Sequence, residues 1–289
     1  RLLERWRAAL KRGVESWEPV FRAAGFSNAI IARDAPTPAE DPEWSPEDAR
    51  YNVIRWVPQP FSNAMGPSVS DPRSGEILFA HIMVWPQVLD YFSRYYWMTA
   101  HGIDPGVDRL PLSQDKQSEL MSYIVAHEVG HSIGLRHNHV ASTAYTVKQM
   151  RDPAFANVHG PNASIMAYGR FNQAAQPGDG VTRVMAGVQG PADYFAIQWG
   201  YGVHGKGAAE EQAALDRLAT ESAVDPLTRW GAGEAGFEEG WMVDPRMQRE
   251  NTGAERVEAT RLGLRNVGRS VAALDEAAPD NETYRATWG

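Results

Sequence analysis

Apolar side chains recur at intervals of three and four residues at the start of the chain. The positions are Leu3, Trp6, Leu10, Val14, Trp17 and Phe21. This spacing places them on one face of a helix, so it predicts an amphipathic helix. Pro19 is expected to kink this helix near its end, and Gly25 is expected to close the segment. Residues 29–32 are predicted to form a short buried strand before an acidic, proline-rich connection over residues 34–48.

Two clearer strands follow, over residues 51–57 and 76–85, and the second is apolar almost throughout. Residues 86–101 carry many aromatic side chains and are predicted to form a helix that ends at Gly102. A further helix is expected to begin at the N-cap residue Ser113. Its inner face consists of Leu120, Ile124, Val125 and Val129. A helix packed along such a face holds its functional side chains more rigidly than a loop does.

After residue 137 the chain becomes richer in alanine, glycine and glutamate, and no segment predicts a strand convincingly. Four segments are predicted to be helical: residues 142–151, 191–201, 208–222 and 254–274. The chain is therefore predicted to divide into an α/β lobe, residues 1–137, and a mainly helical lobe, residues 138–289. We expect a functional site in the cleft between them, because such clefts are common binding sites.

Composition limits the classes of function. The chain has 289 residues, of which 43% are hydrophobic, enough for a substantial core. Its formal net charge of −8 argues against a nucleic-acid partner, because phosphates require a basic surface. The lack of cysteine excludes disulfides, thiolate zinc ligands and thiol chemistry. No apolar run approaches the ~20 residues of a membrane span, and the charged start is unlike a signal peptide.

Residues 127–137, with the sequence HEVGHSIGLRH, carry the most specific chemical pattern. His127 and His131 are four positions apart, so they lie one turn apart on the same helix face and can bind one metal ion. Glu128 lies about 100° around the helix, where its carboxylate can take a proton from a metal-bound water. The pattern therefore supplies two ligands and a general base.

Gly134 and His137 extend this pattern. The glycine can adopt a positive φ, end the helix and reverse the chain, so that His137 becomes a third ligand. Three neutral nitrogens leave one coordination position open, which is typical of catalytic zinc rather than structural zinc. The alternative is a helix with surface histidines and a glycine C-cap, but each added position makes chance agreement about twentyfold rarer.

This arrangement resembles the metzincin clan of zinc endopeptidases, whose HExxHxxGxxH motif is followed by a methionine turn. The candidate Met-turn is residues 164–168, Ser-Ile-Met-Ala-Tyr, with Met166 placed 29 residues after His137. The resemblance implies that Met166 is an apolar floor beneath the zinc and not a ligand. It also implies that Tyr168 binds zinc or stabilises the oxyanion, as in astacins and serralysins. The alternative for Tyr168 is packing in the core.

Further segments are similar to a bacterial family of large, secreted, zinc-dependent metzincins. They are residues 51–56, 66–68, 71–77, 134–138, 168–172, 193–197, 244–246 and 262–264. The resemblance implies an α/β (α+β) metzincin-like catalytic domain, with a small twisted, mostly parallel sheet packed on long helices in the N-terminal lobe. It also implies a piece of a longer bacterial protein, secreted or periplasmic, with its export signal upstream of Arg1.

The implied function is that of a zinc-dependent metalloendopeptidase acting on protein or peptide substrates. Its zinc ligands would be His127, His131 and His137, and Glu128 would be the general base. In metzincins a sheet-edge strand beside the zinc pairs with the substrate backbone. Residues 80–84 are the candidate for that strand, with an interior position in the sheet as the alternative.

Two other functions stay open at this point. A binding or toxin-like module could keep a zinc site without hydrolysing peptides, and another hydrolase could combine the HExxH helix with a distant glutamate ligand. Asn138 occupies the position after the third histidine, where metzincin families differ. Asp71 and Asp179 are interpreted as turn residues rather than calcium ligands. Five histidines lack a partner at ligand spacing and are interpreted as structural or solvated: His81, His101, His139, His159 and His204.

Overall fold

The computed structural model of the chain describes residues 2–185, 189–232, 244–250, 252–278 and 280, without the side chains of Leu2 and Leu3. Two helices open the chain, α1 (Leu2–Glu15) and α2 (Glu18–Ala23). The chain breaks between them instead of kinking within one helix. Pro19 lies in the first turn of α2, where a missing N–H is tolerated. Of the predicted helix face, Trp6, Leu10, Trp17 and Phe21 are buried.

Residues 29–32 do not form a strand, so that prediction was wrong. Ile31 is 55% exposed. The backbone N–H groups of Asn28 and Ala29 donate to the Glu18 carboxylate at 2.9 and 3.0 Å. Glu18 of α2 therefore accepts backbone N–H groups at the start of this segment, and in a strand a neighbouring strand would accept such groups.

A four-stranded mixed sheet follows. Its strands are β1 (Val53–Trp56), β2 (Ala64–Met65), β3 (Ser68–Ser70) and β4 (Ile77–Val84). β1 runs parallel to β4, whereas β2 and β3 run antiparallel to it. The N–H groups of His81 and Trp85 donate to the carbonyls of Pro67 and Asn63, both at 3.2 Å. Residues 63–70 therefore run along one side of β4, with β1 on its other side.

This sheet corrects two expectations. The sheet is mixed rather than mostly parallel, because one of its three strand pairings is parallel and two are antiparallel. Residues 80–84 lie in the interior strand, so the alternative for this segment is correct and residues 63–70 form the outer strand. β2 and β3 are two and three residues long and are separated by Gly66-Pro67. Such short strands lack the alternation that identifies a strand in a sequence.

The two long predicted helices are present as α3 (Pro86–Ala100) and α4 (Gln114–Ser132). Gly102 has a φ of +73° just beyond the end of α3, as its position predicted. α1 lies along α4, and the Trp17 Nε1 donates to the Ala126 carbonyl at 2.8 Å. This contact fixes the middle of α4 one residue before the HExxH pattern begins.

The second half is mainly helical over the residues that are described. Its elements are the 3₁₀ helix His139–Thr143, α5 (Val147–Met150), α6 (Pro153–His159), α7 (Pro191–Tyr201), α8 (Ala208–Val224), the 3₁₀ helix Pro245–Met247, α9 (Arg256–Ala272) and α10 (Leu274–Ala277). The predicted helices over residues 191–201, 208–222 and 254–274 are confirmed. The one over residues 142–151 is split, because Thr146 starts a new helix through a capping box with Gln149. α6 was not predicted.

The main core contains side chains from both sides of residue 137. Buried Ile165, Met166, Phe171 and Ile197 belong to the same apolar cluster as side chains of α1, β4, α3 and α4. The division into two lobes stays a prediction, and residues 186–188, 233–243, 251, 279 and 281–289 of the second lobe lie outside the described residues. None of the described helices combines the length and apolarity needed to cross a membrane.

Candidate metal centre

α4 carries His127, Glu128 and His131 of the motif. The helix begins at Ser113, whose Oγ accepts the Lys116 N–H at 3.3 Å, as the N-cap prediction required. Its second half is packed in the core, and His127 and Glu128 are buried. A buried helix backbone leaves these side chains little freedom to move, so packing holds this face of α4 in place.

The turn after α4 brings the third histidine to the first two. Gly134 has a φ of +93°, and the N–H of Leu135 donates to the Gly130 carbonyl at 3.0 Å. The chain therefore reverses at the predicted glycine. The Nε2 atom of His131 lies 3.2 Å from Nε2 of His127 and 3.1 Å from Nε2 of His137.

The donor set fits a zinc ion. Zinc–nitrogen bonds of 2.0–2.1 Å in tetrahedral geometry separate ligand nitrogens by about 3.3 Å, close to the observed spacing. Nδ1 of His127 lies 2.8 Å from the Ile165 carbonyl, and Nδ1 of His131 lies 2.9 Å from the Leu135 carbonyl. These carbonyls place the ring protons on Nδ1 and leave Nε2 lone pairs facing one another, which is the arrangement of metal-binding histidines.

Burial favours the neutral form of the His127 imidazole. Burial, together with the neighbouring His131 and His137, lowers the pKa of His127 well below its ordinary value. A neutral imidazole is the form that binds a metal. His131 and His137 are partly exposed, so the cluster is accessible from solvent on their side. Among the described residues, these three histidines form the one group of metal-binding side chains close enough to share an ion.

Glu128 lies beside this cluster in a buried position. Burial raises the pKa of Glu128 to about 7, although the Arg170 charge and a hydrogen bond from the Gly66 N–H both favour its ionised form. Gly66 lies directly on α4, because a Cβ atom at this position would be 2.1 Å from the Glu128 carbonyl oxygen. The outer strand therefore contacts the helix at the proposed base, and residue 66 must lack a side chain.

This pKa predicts a pH dependence of stability in the metal-free chain. The folded pKa of Glu128 lies above its unfolded value of 4.5. The stability associated with the protonated acid is therefore fully present below pH 4.5 and is lost as the pH rises through about 7. Glu128→Gln stays neutral, so we expect the variant to gain about 3 kcal/mol over the native chain at about pH 8. Urea unfolding in the presence of a chelator measures the free energy of unfolding of both chains. If Glu128→Gln were stabilised equally at pH 4.5, the pKa of Glu128 would not explain the gain.

The Met-turn lies against α4, where the resemblance placed it. Met166 is 1% exposed, and a Cβ atom at Gly130 would be 2.3 Å from its Sδ. The methionine therefore packs on α4 between the two histidine positions. The N–H of Asn138 donates to the Met166 carbonyl at 3.0 Å, and its side chain binds the Arg229 carbonyl and the Gly231 N–H. Asn138 thus links the third histidine to the Met-turn and to residues 229–231.

Tyr168 also lies at the histidine cluster. Its ring centroid is 4.5 Å from that of His137 and 5.5 Å from that of His127. The ring is not fully buried, but burial still raises the pKa of the Tyr168 phenol, and the charge of Arg170 opposes this rise. The Tyr168 ring therefore lies beside the His127 and His137 rings.

Sequence reasoning missed Arg170 at this site. Its guanidinium lies 4.0 Å from the centre of the Tyr168 ring and 4.7 Å from that of Phe92, and its Nε donates to the Glu250 carboxylate at 3.0 Å. Arg170 lies in the segment 168–172 that is similar to the family, but nothing in the sequence predicts its contacts with Tyr168, Phe92 or Glu250. The contact only arises because α3 and residues 248–250 meet the turn in the fold.

Three other residues that the sequence singled out, His139, Asp71 and Asp179, contact neighbouring side chains. His139 is buried, and its ring stacks on His137 with centroids 5.0 Å apart, consistent with a supporting position. Asp71 pairs with Arg73, and Asp179 pairs with Arg151. Both aspartates also accept backbone N–H groups in turns, as predicted.

The chain matches a known protein family. Residues 110–288 match the model of a family described as Met-zincin. The matched segment covers more than half of the chain and includes α4, the three histidines and the Met-turn. No curated protein and no solved structure matches the chain.

Proposed function

Because the chain belongs to the Met-zincin family, we propose that it is a zinc-dependent endopeptidase that uses Glu128 as its general base. Family membership and the histidine cluster together indicate a zinc metallopeptidase. The observation that carries the proposal is the convergence of three Nε2 atoms, 3.1 and 3.2 Å apart, beside a buried carboxylate.

The residues that would hold the metal are His127, His131 and His137. When bound, zinc supplies Lewis-acid polarisation of a carbonyl and lowers the pKa of water toward about 7. The Glu128 carboxylate then accepts the proton of the attacking water and returns it to the leaving amine. A pKa of Glu128 near neutrality suits both transfers.

Tyr168 is the proposed donor to the oxyanion. Its pKa above the ordinary value keeps the hydroxyl protonated at neutral pH, so it can donate a hydrogen bond to the developing negative charge. The guanidinium of Arg170 lies on the face of its ring, and this contact restricts the ring's position.

The outer strand, residues 63–70, is the proposed platform for an extended substrate. Among the described strands, β2 and β3 each pair only with β4, so their other edge is available to a peptide backbone. The Gly66 contact with Glu128 places this edge next to the proposed base. We therefore propose residues 63–70, and not residues 80–84, as the segment that pairs with the substrate.

Metal analysis combined with a peptide-library digest tests the proposed function. We expect one zinc per chain and cleavage within peptides that stops with chelator and returns when zinc is restored. Bound zinc without cleavage of any unfolded protein or peptide would overturn the endopeptidase and favour a binding module. The secreted or periplasmic location stays a prediction, which the location of the full-length protein in cell fractions would test.

Tyr168→Phe is expected to lower kcat by about 10²-fold with little change in KM, because an oxyanion donor acts mainly in the transition state. The variant keeps the ring and its contact with Arg170. Tyr194→Phe is a matched control, since Tyr194 lies on the exposed surface of α7. Steady-state kinetics on one cleaved peptide measure both variants. An unchanged kcat in Tyr168→Phe would reduce the tyrosine to a packing role.

A further inference from the structure

Asp193 is a buried carboxylate that the proposed reaction does not use. It lies in the first turn of α7 and is 1% exposed. Its Oδ1 accepts the Ser164 hydroxyl at 2.6 Å, and its Oδ2 accepts the N–H groups of Ile165 and Gly190 at 2.8 and 2.7 Å. Burial raises the pKa of Asp193 to about 6, so the group is largely ionised at neutral pH.

Two of these three donors belong to the Met-turn. The Ser164 Oγ, which donates to Asp193, also accepts the N–H of Met166 at 3.0 Å. The Ala192 N–H, next to Asp193, donates to the Ala163 carbonyl at 2.9 Å. The carboxylate therefore fixes the start of the turn to the first turn of α7 through side-chain and backbone contacts.

The same turn orients a proposed zinc ligand. The Ile165 N–H donates to Asp193, and the Ile165 carbonyl lies 2.8 Å from Nδ1 of His127. One residue thus connects the carboxylate to the imidazole. A group that hydrogen-bonds to the imidazole nitrogen opposite the metal fixes the orientation of the ring. Mutation of such a group typically lowers metal affinity or activity 10- to 100-fold.

We propose that Asp193 is a positioning residue of the metal centre, which holds the Ile165 carbonyl against His127 and Met166 against α4. This inference rests on the proposed zinc site but not on peptide hydrolysis. A buried charge is more costly than a neutral group, so its use here suits a contact that must be strong and directional. The carboxylate accepts three hydrogen bonds, and an amide of the same shape cannot accept all of them with its one oxygen.

Asp193→Asn and Asp193→Ala test the proposal through zinc affinity and two spectroscopic measurements. We expect the zinc Kd to increase by at least about tenfold in both, measured by competition with a chromophoric chelator. The visible absorption bands of the Co²⁺-loaded chain should shift. In the metal-free chain, the His127 Nδ1 proton should exchange faster with solvent in NMR spectra.

Asp104→Asn is the matched control. Asp104 is another buried aspartate, and its carboxylate binds Lys116 at 2.9 Å near the start of α4, away from the Met-turn. We expect this variant to be less stable but to keep the native zinc Kd, cobalt spectrum and His127 proton exchange. If the Asp193 variants match it in all three, Asp193 is only structural and the proposal is overturned.

Ser164→Ala keeps the test decisive if the Asp193 variants do not fold. It removes one of the three donors, so a smaller increase in the zinc Kd is expected, and an unchanged zinc Kd would overturn the proposal. If Asp193→Asn does fold, the increase in the double variant Ser164→Ala/Asp193→Asn should be less than the product of the single increases, because both changes disrupt one network. If the two substitutions instead increased the zinc Kd independently, Ser164 and Asp193 would not act in one hydrogen-bond network. Zinc binding without cleavage by the native chain would overturn the proposed function, while the zinc Kd and both spectra would still decide the role of Asp193.

Discussion

Glu128→Gln is expected to lower kcat/KM for peptide hydrolysis by about 10³-fold while the chain still binds zinc. General acid–base catalysis contributes about 10²- to 10⁴-fold, and Glu128 would serve in two proton transfers of one turnover. The amide preserves the shape and can accept the Gly66 N–H, but it cannot accept a proton at neutral pH. The three histidines are unchanged, so the metal site should remain.

The control for Glu128→Gln is the same substitution at a second glutamate of the same helix. Glu119 lies on α4 and pairs with Lys116 at the surface, so Glu119→Gln changes the same chemical group away from the histidine cluster. Steady-state kinetics and metal analysis of both variants separate loss of the base from a general effect on the helix. Undiminished proteolysis by Glu128→Gln would refute the mechanism, and loss of zinc from this variant would show that the carboxylate helps to hold the metal.

The sequence predicts the fold best where elements are long and periodic. α3, α4 and α7 lie at or within a few residues of the predicted bounds, because helical spacing, Ser113 and Gly102 define them locally. β2 and β3 were missed because two or three residues are too few to show alternation. The false strand over residues 29–32 arose because the contact of Glu18 with this backbone joins residues about ten positions apart, a contact that periodicity does not reveal.

The candidate site shows the same difference between features that local sequence predicts and features that depend on long-range contacts. The spacing of the three histidines and the glycine is a local property of one helix and one turn, so the sequence alone predicts their convergence. The contacts of Arg170, Asp193 and Gly66 depend on how distant elements pack. Each residue lies in a segment that is similar to the bacterial metzincin family, but the resemblance assigns it no role. Asp193 could have been suspected from its position in the first turn of a predicted helix, but its contact with Ser164 spans 29 residues.

His131 is the central histidine of the cluster, and its substitution is expected to lower both zinc affinity and the stability that zinc adds. His131 Nε2 is within 3.2 Å of both other Nε2 atoms, and its loss leaves two nitrogens, too few for a zinc site of three protein ligands. Structural zinc binding in zinc-finger peptides is worth about 10–16 kcal/mol over four ligands, or about 2.5–4 kcal/mol for each. His131→Ala is therefore expected to weaken zinc binding by about 10²- to 10³-fold and to abolish hydrolysis.

Thermal unfolding is a second way to measure the loss of zinc binding in His131→Ala. Zinc that binds only the folded chain raises Tm according to its concentration relative to Kd, so the native chain and Glu128→Gln should both gain stability on zinc addition. His131→Ala should show no gain at the same concentration. His204→Ala is the matched control, because this partly exposed ring binds the Gln198 carbonyl at 2.8 Å and lies outside the cluster. A zinc-dependent rise in Tm that survives His131→Ala would mean that the ion binds elsewhere, and the three-histidine site would then be wrong even if peptides were cleaved.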